Sequence, residues 1–294
     1  MSLHFEPICL EKQERYLSLW AACPQKTSDY SFVNLWGWSE EYALSWAWQG
    51  DLVWIRQTKP QVCLWAPVGP WGAVDWDPCL AESVDGPAVF TRVPGDLVQI
   101  WQNHLGGRVQ RQESRGHWDY LYHVADLVEL KGNRLHKKKN LLNQFTKNYD
   151  FTYIPLEAET THQALSMQTD WCNWRDCESF EILASENHVI EKVLHEWNAF
   201  KGLLGGALLV GDKMVAYTVG ERLSDQTVLI HFEKGHPDYK GVYQAINQMF
   251  AAHLSAEILF VNREQDLNDE GLRRAKLSYQ PANFLRKYQV AISG

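Results

Sequence analysis

The sequence predicts an α/β (α+β) protein. Three observations predict it. The 294 residues suit one large domain or two of ordinary size. Hydrophobic residues make up 45% and charged residues 22%, which fills cores and excludes wholesale disorder. Apolar runs of period 2 alternate with runs of period 3.6, most regularly in the second half.

The first half opens with an alternating stretch, Leu3 to Leu10, followed by a helical one, Glu11 to Cys23. LSWAWQ and LVWIRQT flank Gly50 and Asp51, and two aromatic-rich runs around a Gly/Asp turn predict a β-hairpin. CLWAPVG adds a third strand. Pro94 precedes the helical DLVQIWQNHL, which stops at Gly106 and Gly107. HWDYLYHVADLVEL then reads as β-rich. Most of the fourteen tryptophans lie before Trp118, a pattern that points to half-buried sheet faces or a groove.

The second half reads more clearly. YDFTYIPL is a strand, and His162 to Trp174 and Glu186 to Phe200 are helices. LLGGALLV and MVAYTVGERL form a hairpin around a Gly-Asp-Lys turn, and QTVLIHFEKG is the next strand. Lys240 to Leu254 is an amphipathic helix, ILFVN a strand, Asp269 to Lys276 a short helix and YQVAI the last strand. The first half follows a looser version of this order, which is consistent with internal structural duplication.

Lys plus Arg number 28 against 36 Asp plus Glu, a formal charge of -8, so no DNA partner is expected and any polyanion must meet a local basic patch. The six cysteines are scattered, which argues against a disulfide framework. The N-terminus becomes charged too early for a secretory signal, and no run approaches the roughly 20 apolar residues of a membrane span. A cytoplasmic protein is expected. His231, Glu233 and His236 do not have a recognised ligand spacing, nor do Cys172 and Cys177, so no metal site is expected.

The most basic segment, KGNRLHKKKNLLNQFTKNY, predicts a helix from about Asn133 to Lys147. Leu135, Leu142, Phe145 and Tyr149 share one arc at about 100° per residue. Arg134 and Lys138 fall in or beside that arc, with Lys137 and Lys139 off it on either side. Either the first two snorkel past the core, or the helix aims them into a crevice.

GNRLHKKKNLLNQF, HFEKGHPDYKGVYQAINQMF and above all FVNREQDLNDEGLRRAKLSYQPANFLRKY resemble the DUF2156 family, related to the C-terminal domain of phosphatidylglycerol lysyltransferases. The order of elements resembles the GNAT acyltransferase fold. The resemblance covers about Lys131 to Val290. It implies two tandem GNAT-like domains with mixed central sheets, 1–130 and 131–294, with a crevice between them, and a link to aminoacyl transfer from aminoacyl-tRNA.

A site of this kind needs helix-start amides for donor phosphates and a group to move the proton. The helix after Thr227–Glu233 starts near Gly241, which permits close approach, although the loop lacks the glycine-rich pattern of acetyl-CoA users. Glu233 and Lys234 end that strand and point to opposite faces, whereas His231 and Glu233 share one. Glu233 suits a general base or an amine holder; the alternative is a strand-end ion pair. Asn262, Arg263, Glu264, Asp266, Arg273, Lys276 and Tyr279 crowd one strand–loop–helix unit, which calls for a network of buried pairs or a polar ligand. Arg263, Arg273 and Lys276 suit a phosphate or carboxylate, and Tyr279 suits protonation of a leaving group or a place in the core.

The expectation is therefore an acyltransferase with Glu233 and Tyr279 as catalytic residues and no tightly bound cofactor. Lys234, Asn262, Arg263, Glu264, Asp266, Arg273 and Lys276 would bind substrate, and Arg134, Lys137, Lys138, Lys139 and Gly241 the donor's phosphates or RNA. The donor is aminoacyl-tRNA, with acyl-CoA as the variant, and the acceptor a small molecule or peptide. The alternative from another class is a non-catalytic GNAT-fold binding module.

Overall fold

The computed structural model describes residues 3–84 and 86–293. Contacts divide the chain into two interleaved units. The first holds residues 1–119, 265–268 and 285–294; the second holds 120–264 and 269–284. Residues 120–130, assigned by sequence to the first domain, thus fall in the second unit.

In the first unit, β1 (Glu6–Pro7), α1 (Gln13–Ala21), α2 (Phe32–Gly37), β2 (Ser45–Gln49), β3 (Leu52–Gln57) and β4 (Cys63–Trp65) lead to α3 (Trp76–Ser83). Next come β5 (Ala88–Pro94), α4 (Gly95–Leu105) and β6 (Val109–Glu113). In the second, β7 (Asp119–His123), α5 (Val124–Glu129), α6 (His136–Asn148), β8 (Phe151–Pro155), α7 (Thr161–Arg175) and α8 (Glu181–His195) come first. They precede β9 (Leu203–Val210), β10 (Lys213–Ser224), β11 (Thr227–Gly235), α9 (Val242–Ala252), β12 (Phe260–Asn262), α10 (Glu270–Leu277) and β13 (Asn283–Leu285). The last strand is β14 (Lys287–Ile292).

The two sheets have one plan. The first runs β1-β2-β3-β4-β5-β14-β6 and the second, read in the matching direction, β8-β9-β10-β11-β12-β7-β13. Two helices separate the first two strands of each set, and one helix (α3 or α9) links the fourth to the fifth. The fourth and fifth strands are parallel in both, β4 with β5 and β11 with β12. This is the tandem GNAT-like arrangement, with the sixth positions exchanged: β14 completes the first sheet and β7 the second. The last strand thus leaves the domain in which sequence order put it.

Local chemistry explains most of the elements. The β2–β3 hairpin pairs Gln49 with Leu52 around Gly50, as the turn residues predict. HWDYLYHVADLVEL splits into β7 and α5 because the aromatic alternation ends at His123. Leu127 of the new helix packs with Tyr120 and Tyr122 in the core. Leu3 to Leu10 yields only β1. The tryptophans serve mainly as core: Trp46, Trp54, Trp71, Trp76 and Trp101 are fully buried, each removing about 150–250 Å² from water. Cys172 and Cys177 are disulfide-bonded with Cα atoms 5.0 Å apart, because α7 ends between them and an αL residue, Asp176, folds the chain back.

Candidate functional site

In the second unit, β11 and β12 pair for three residues, ending at Leu229 and Asn262. There β12 turns towards its other neighbour, and Arg263 N–H donates to the Tyr120 carbonyl at 2.9 Å. β11 runs on to Gly235, and Arg263 bridges the opening. Its Nη2 donates to Glu233 Oε1 at 2.8 Å, and Asn247 Nδ2 of α9 donates to Glu233 Oε2 at 3.3 Å. The pair is largely buried, with side-chain exposures of 15% and 8%, so its charges act in a medium less screening than water. Asn247 Oδ1 is buried without a partner.

Aromatic rings wall the pair. Arg263 lies 5.1 Å from the Tyr279 ring centre and 5.9 Å from that of Tyr122. Gln244 Nε2 approaches the Tyr279 hydroxyl at 3.4 Å. Burial pushes the Tyr279 hydroxyl up from its usual pKa, against the pull of Arg263, so it stays protonated at neutral pH. Lys138 lies 4.3 Å over the same ring, and burial, then repulsion from Arg263, draws its ammonium down. Of the two outcomes for the basic helix, Lys138 turns inward. Arg134, Lys137 and Lys139 are exposed, and Arg134 only reaches Gln280 at 3.4 Å.

The remaining residues separate into distinct roles. Lys234 faces away from Glu233, donates to Glu186 at 2.7 Å and stacks 4.1 Å over Trp171. His231 and Glu233 do not share a face. The β10–β11 register steps from Val219/Phe232 to Gly220/Ile230, so His231 is the extra residue of a β-bulge and alternation breaks there. Its Nδ1 lies 3.1 Å from Glu264 and its Nε2 3.4 Å from Glu221, the latter an ion-pair contact rather than an aligned hydrogen bond. Burial alone would lower the His231 pKa, but the two carboxylates outweigh it and raise it to about 9. Asn262 is fully buried and accepts the Glu264 N–H at 2.8 Å, holding that residue at φ 55°.

Arg263, Arg273 and Lys276 are not a free cationic trio. Lys276 donates to the Arg263 carbonyl at 2.6 Å, and Arg273 lies half-exposed on α10. Asp266 belongs to the first unit, where it meets Arg115 at 3.1 Å and accepts the Asn268 N–H. Gly241 caps α9 at φ 88°, and a Cβ there would collide with the Leu141 carbonyl, so glycine lets α6 and α9 approach. Sequence reasoning missed Tyr122, Gln244 and Asn247. The last two are polar positions three apart on a mainly apolar helix, and that was the available signal.

The first unit has a centre of its own that sequence did not single out. Lys287 Nζ binds both Asp29 and, at 2.6 Å, Asp119, and Arg92 Nη1 donates to Asp29 at 2.5 Å. Gln265 and Ser28 complete it. Among the described residues no three His, Cys, Asp or Glu are grouped to hold a metal, and no helix is long and apolar enough to cross a membrane.

A family model described as phosphatidylglycerol lysyltransferase, C-terminal, matches residues 20–291. A structure of a conserved protein of unknown function from Bacteroides thetaiotaomicron is similar over 99% of this chain and 100% of its own, at 29% identity and a TM-score of 0.86. A domain assigned to a lysylphosphatidylglycerol synthetase of Agrobacterium fabrum shares the fold over 97% of this chain and 92% of its own, at 13% identity and a TM-score of 0.65. An uncharacterised protein of Mycoplasmoides gallisepticum is 27% identical over 59% of this chain, and the match spans only 56% of that relative's length.

Proposed function

The chain belongs to the phosphatidylglycerol lysyltransferase C-terminal family, and from that membership we propose that it transfers an aminoacyl group from aminoacyl-tRNA to an amine or hydroxyl acceptor. The observation that carries this reading is the Glu233–Arg263 pair at the opening between β11 and β12, with Tyr279 and Lys138 beside it. A carboxylate, a guanidinium and a protonated phenol in one largely buried cluster are what acyl transfer needs.

In the reaction the acceptor nitrogen or oxygen attacks the ester carbonyl carbon. A bond forms there, and the ester bond to the tRNA ribose oxygen breaks. Glu233 takes the proton the acceptor loses. Tyr279, kept neutral by burial, gives a proton to the departing ribose oxygen. Arg263, turned from Glu233 by the arriving substrate, neutralises charge growing on the carbonyl oxygen. The exposed Arg134, Lys137 and Lys139 supply cations for RNA phosphates on a chain that is otherwise acidic. The acceptor is a small molecule or peptide.

The test is label transfer from radioactive aminoacyl-tRNA, made from bulk tRNA, to free amino acids, dipeptides and phosphatidylglycerol vesicles. Salt-sensitive transfer that falls about 100-fold or more in Glu233→Gln is expected. Stabilisation by CoA with no binding of charged tRNA would replace this reading with an acyl-CoA enzyme. Binding without turnover would make the protein a recognition module.

A further inference from the structure

Helices α7 and α8 are anchored in the core of the second unit on either side of their joint. Met167 and Trp171 of α7 are buried, as are Val189, Ile190, Val193 and Leu194 of α8. The joint itself is not. Among the described residues 173–188 only Cys177 is buried, at 4% exposure, whereas Trp174, Phe180 and Ile182 are 57%, 58% and 78% exposed. A stretch with so little buried apolar surface has little packing energy to hold it and opens at low cost. No side-chain hydrogen bond caps α8 at Phe180, so its first turn lacks that support as well.

The joint is tied down by the Cys172–Cys177 bond and, further on, by polar contacts of α8. Glu186 accepts from Lys234 Nζ at 2.7 Å, and Asn187 accepts from Gln168 Nε2 at 2.9 Å. Lys234 is the buried partner, 6% exposed, and it follows Glu233 on β11. The carboxylate that neutralises it sits on the first two turns of α8, the part of that helix with no buried side chain. The disulfide and the ion pair are thus successive clasps on one segment. Opening the first loosens the turns that carry the second.

We propose that the Cys172–Cys177 bond is a redox switch of the second unit: reduced by a dithiol, it releases residues 173–188 and withdraws Glu186 from Lys234. The inference stands on the α7–α8 joint and does not depend on the transfer reaction proposed above.

The two sulfurs differ in access, since Cys172 is half-buried and Cys177 buried. A thiolate of the dithiol attacks Cys172 Sγ. A bond forms there, the bond to Cys177 breaks, and Cys177 leaves as a thiolate that takes up a proton. The second thiol of the dithiol then attacks the reductant sulfur of the mixed disulfide and frees Cys172. Two electrons pass to the protein, and the dithiol becomes a disulfide. The same steps in reverse, from an oxidised dithiol, close the clasp again.

The experiment compares the full chain before and after treatment with about 10 mM dithiothreitol, by hydrogen–deuterium exchange and, once the reagent is removed, by lysine acetylation mapped by peptide. Maleimide counting of the newly formed thiols shows when the bond has opened. Exchange across residues 173–188 should rise about 10-fold or more and acetylation of Lys234 several-fold, with β9 and β10 unchanged. The Cys172→Ser, Cys177→Ser double variant should show the fast exchange and the reactive Lys234 with or without reductant. Should that variant fold poorly, the oxidised and reduced parent still decide the matter, because their comparison needs no substitution. A bond that resists the dithiol in the folded protein would overturn the proposal. So would full reduction that leaves either the exchange or the Lys234 acetylation unchanged.

Discussion

Arg92 and Arg263 occupy the same place in two sheets of one plan, and their surroundings have opposite consequences. Each follows the last residue of the parallel pair, Thr91 opposite Trp65 and Asn262 opposite Leu229. Arg92 joins a network of two cations and two carboxylates, in which Lys287, Asp29 and Asp119 are at most 1% exposed. Arg263 has one carboxylate, some solvent contact and two tyrosines. A duplicated fold therefore placed an arginine at both strand ends and fixed only one of them. A fully matched buried network resists rearrangement, because each charge removed strands another. A single pair beside an opening can exchange its partner for a substrate.

The comparison is most easily broken at Lys287. Replacement by Met leaves Asp29 and Asp119 buried with only Arg92 to offset them. A loss of about 3–5 kcal/mol in urea unfolding is expected. A loss below about 1 kcal/mol would mean that the network is not a structural centre of the first unit. Arg263→Met should cost less, about 1–2 kcal/mol, since Glu233 can take up water, while transfer activity falls by two orders of magnitude or more.

Titration sharpens the contrast. In the first unit burial opposes ionisation of Asp29, but Lys287 and Arg92 hold its carboxyl well below the usual range, and His117 is depressed to about 4. Both contributions are complete above the unfolded pKa values, near 4 for Asp and 6.5 for His. Both are lost as pH falls through the folded ones. His231 in the second unit is raised to about 9, so its contribution is complete below about pH 6.5 and lost between there and pH 9. Stability should therefore decline on both sides of neutrality. His231→Gln should flatten the alkaline limb, worth on the order of 3 kcal/mol, and leave the acid limb unchanged. A smaller effect belongs to the basic helix: Lys137→Ala with Lys139→Ala should reduce the salt slope of tRNA binding by about 2 and leave unfolding within about 0.5 kcal/mol.

The sequence made the second unit more legible than the first. Its helices and strands are regular, and the crowding of Asn262 to Tyr279 beyond an apolar strand marked a real polar centre. Glu233, Arg263, Tyr279 and Lys138 do converge. Residues near one another in sequence could be read as a group. The first unit's centre could not, because Asp29, Arg92, Asp119 and Lys287 are 27 to 258 positions apart and each alone resembles a surface charge. Alternation failed at His231 because a bulge adds a residue invisible to a period of two. The disulfide escaped notice because five-residue spacing becomes favourable only when Asp176 takes the αL turn. The exchange of β7 and β14 is likewise a matter of tertiary pairing that no local pattern encodes.

On the proposed function Glu233 serves chemistry, whereas Asp29 serves the fold. The most direct measurement sets Glu233→Gln beside Asp29→Asn, with urea unfolding and aminoacyl transfer followed on the same preparations. Glu233→Gln should unfold within about 2 kcal/mol of the parent and lose about 100-fold or more in transfer. Asp29→Asn should lose about 3–5 kcal/mol, while the molecules that remain folded transfer at the parent rate. Full transfer by Glu233→Gln, or an inactive Asp29→Asn of undiminished stability, would contradict the account.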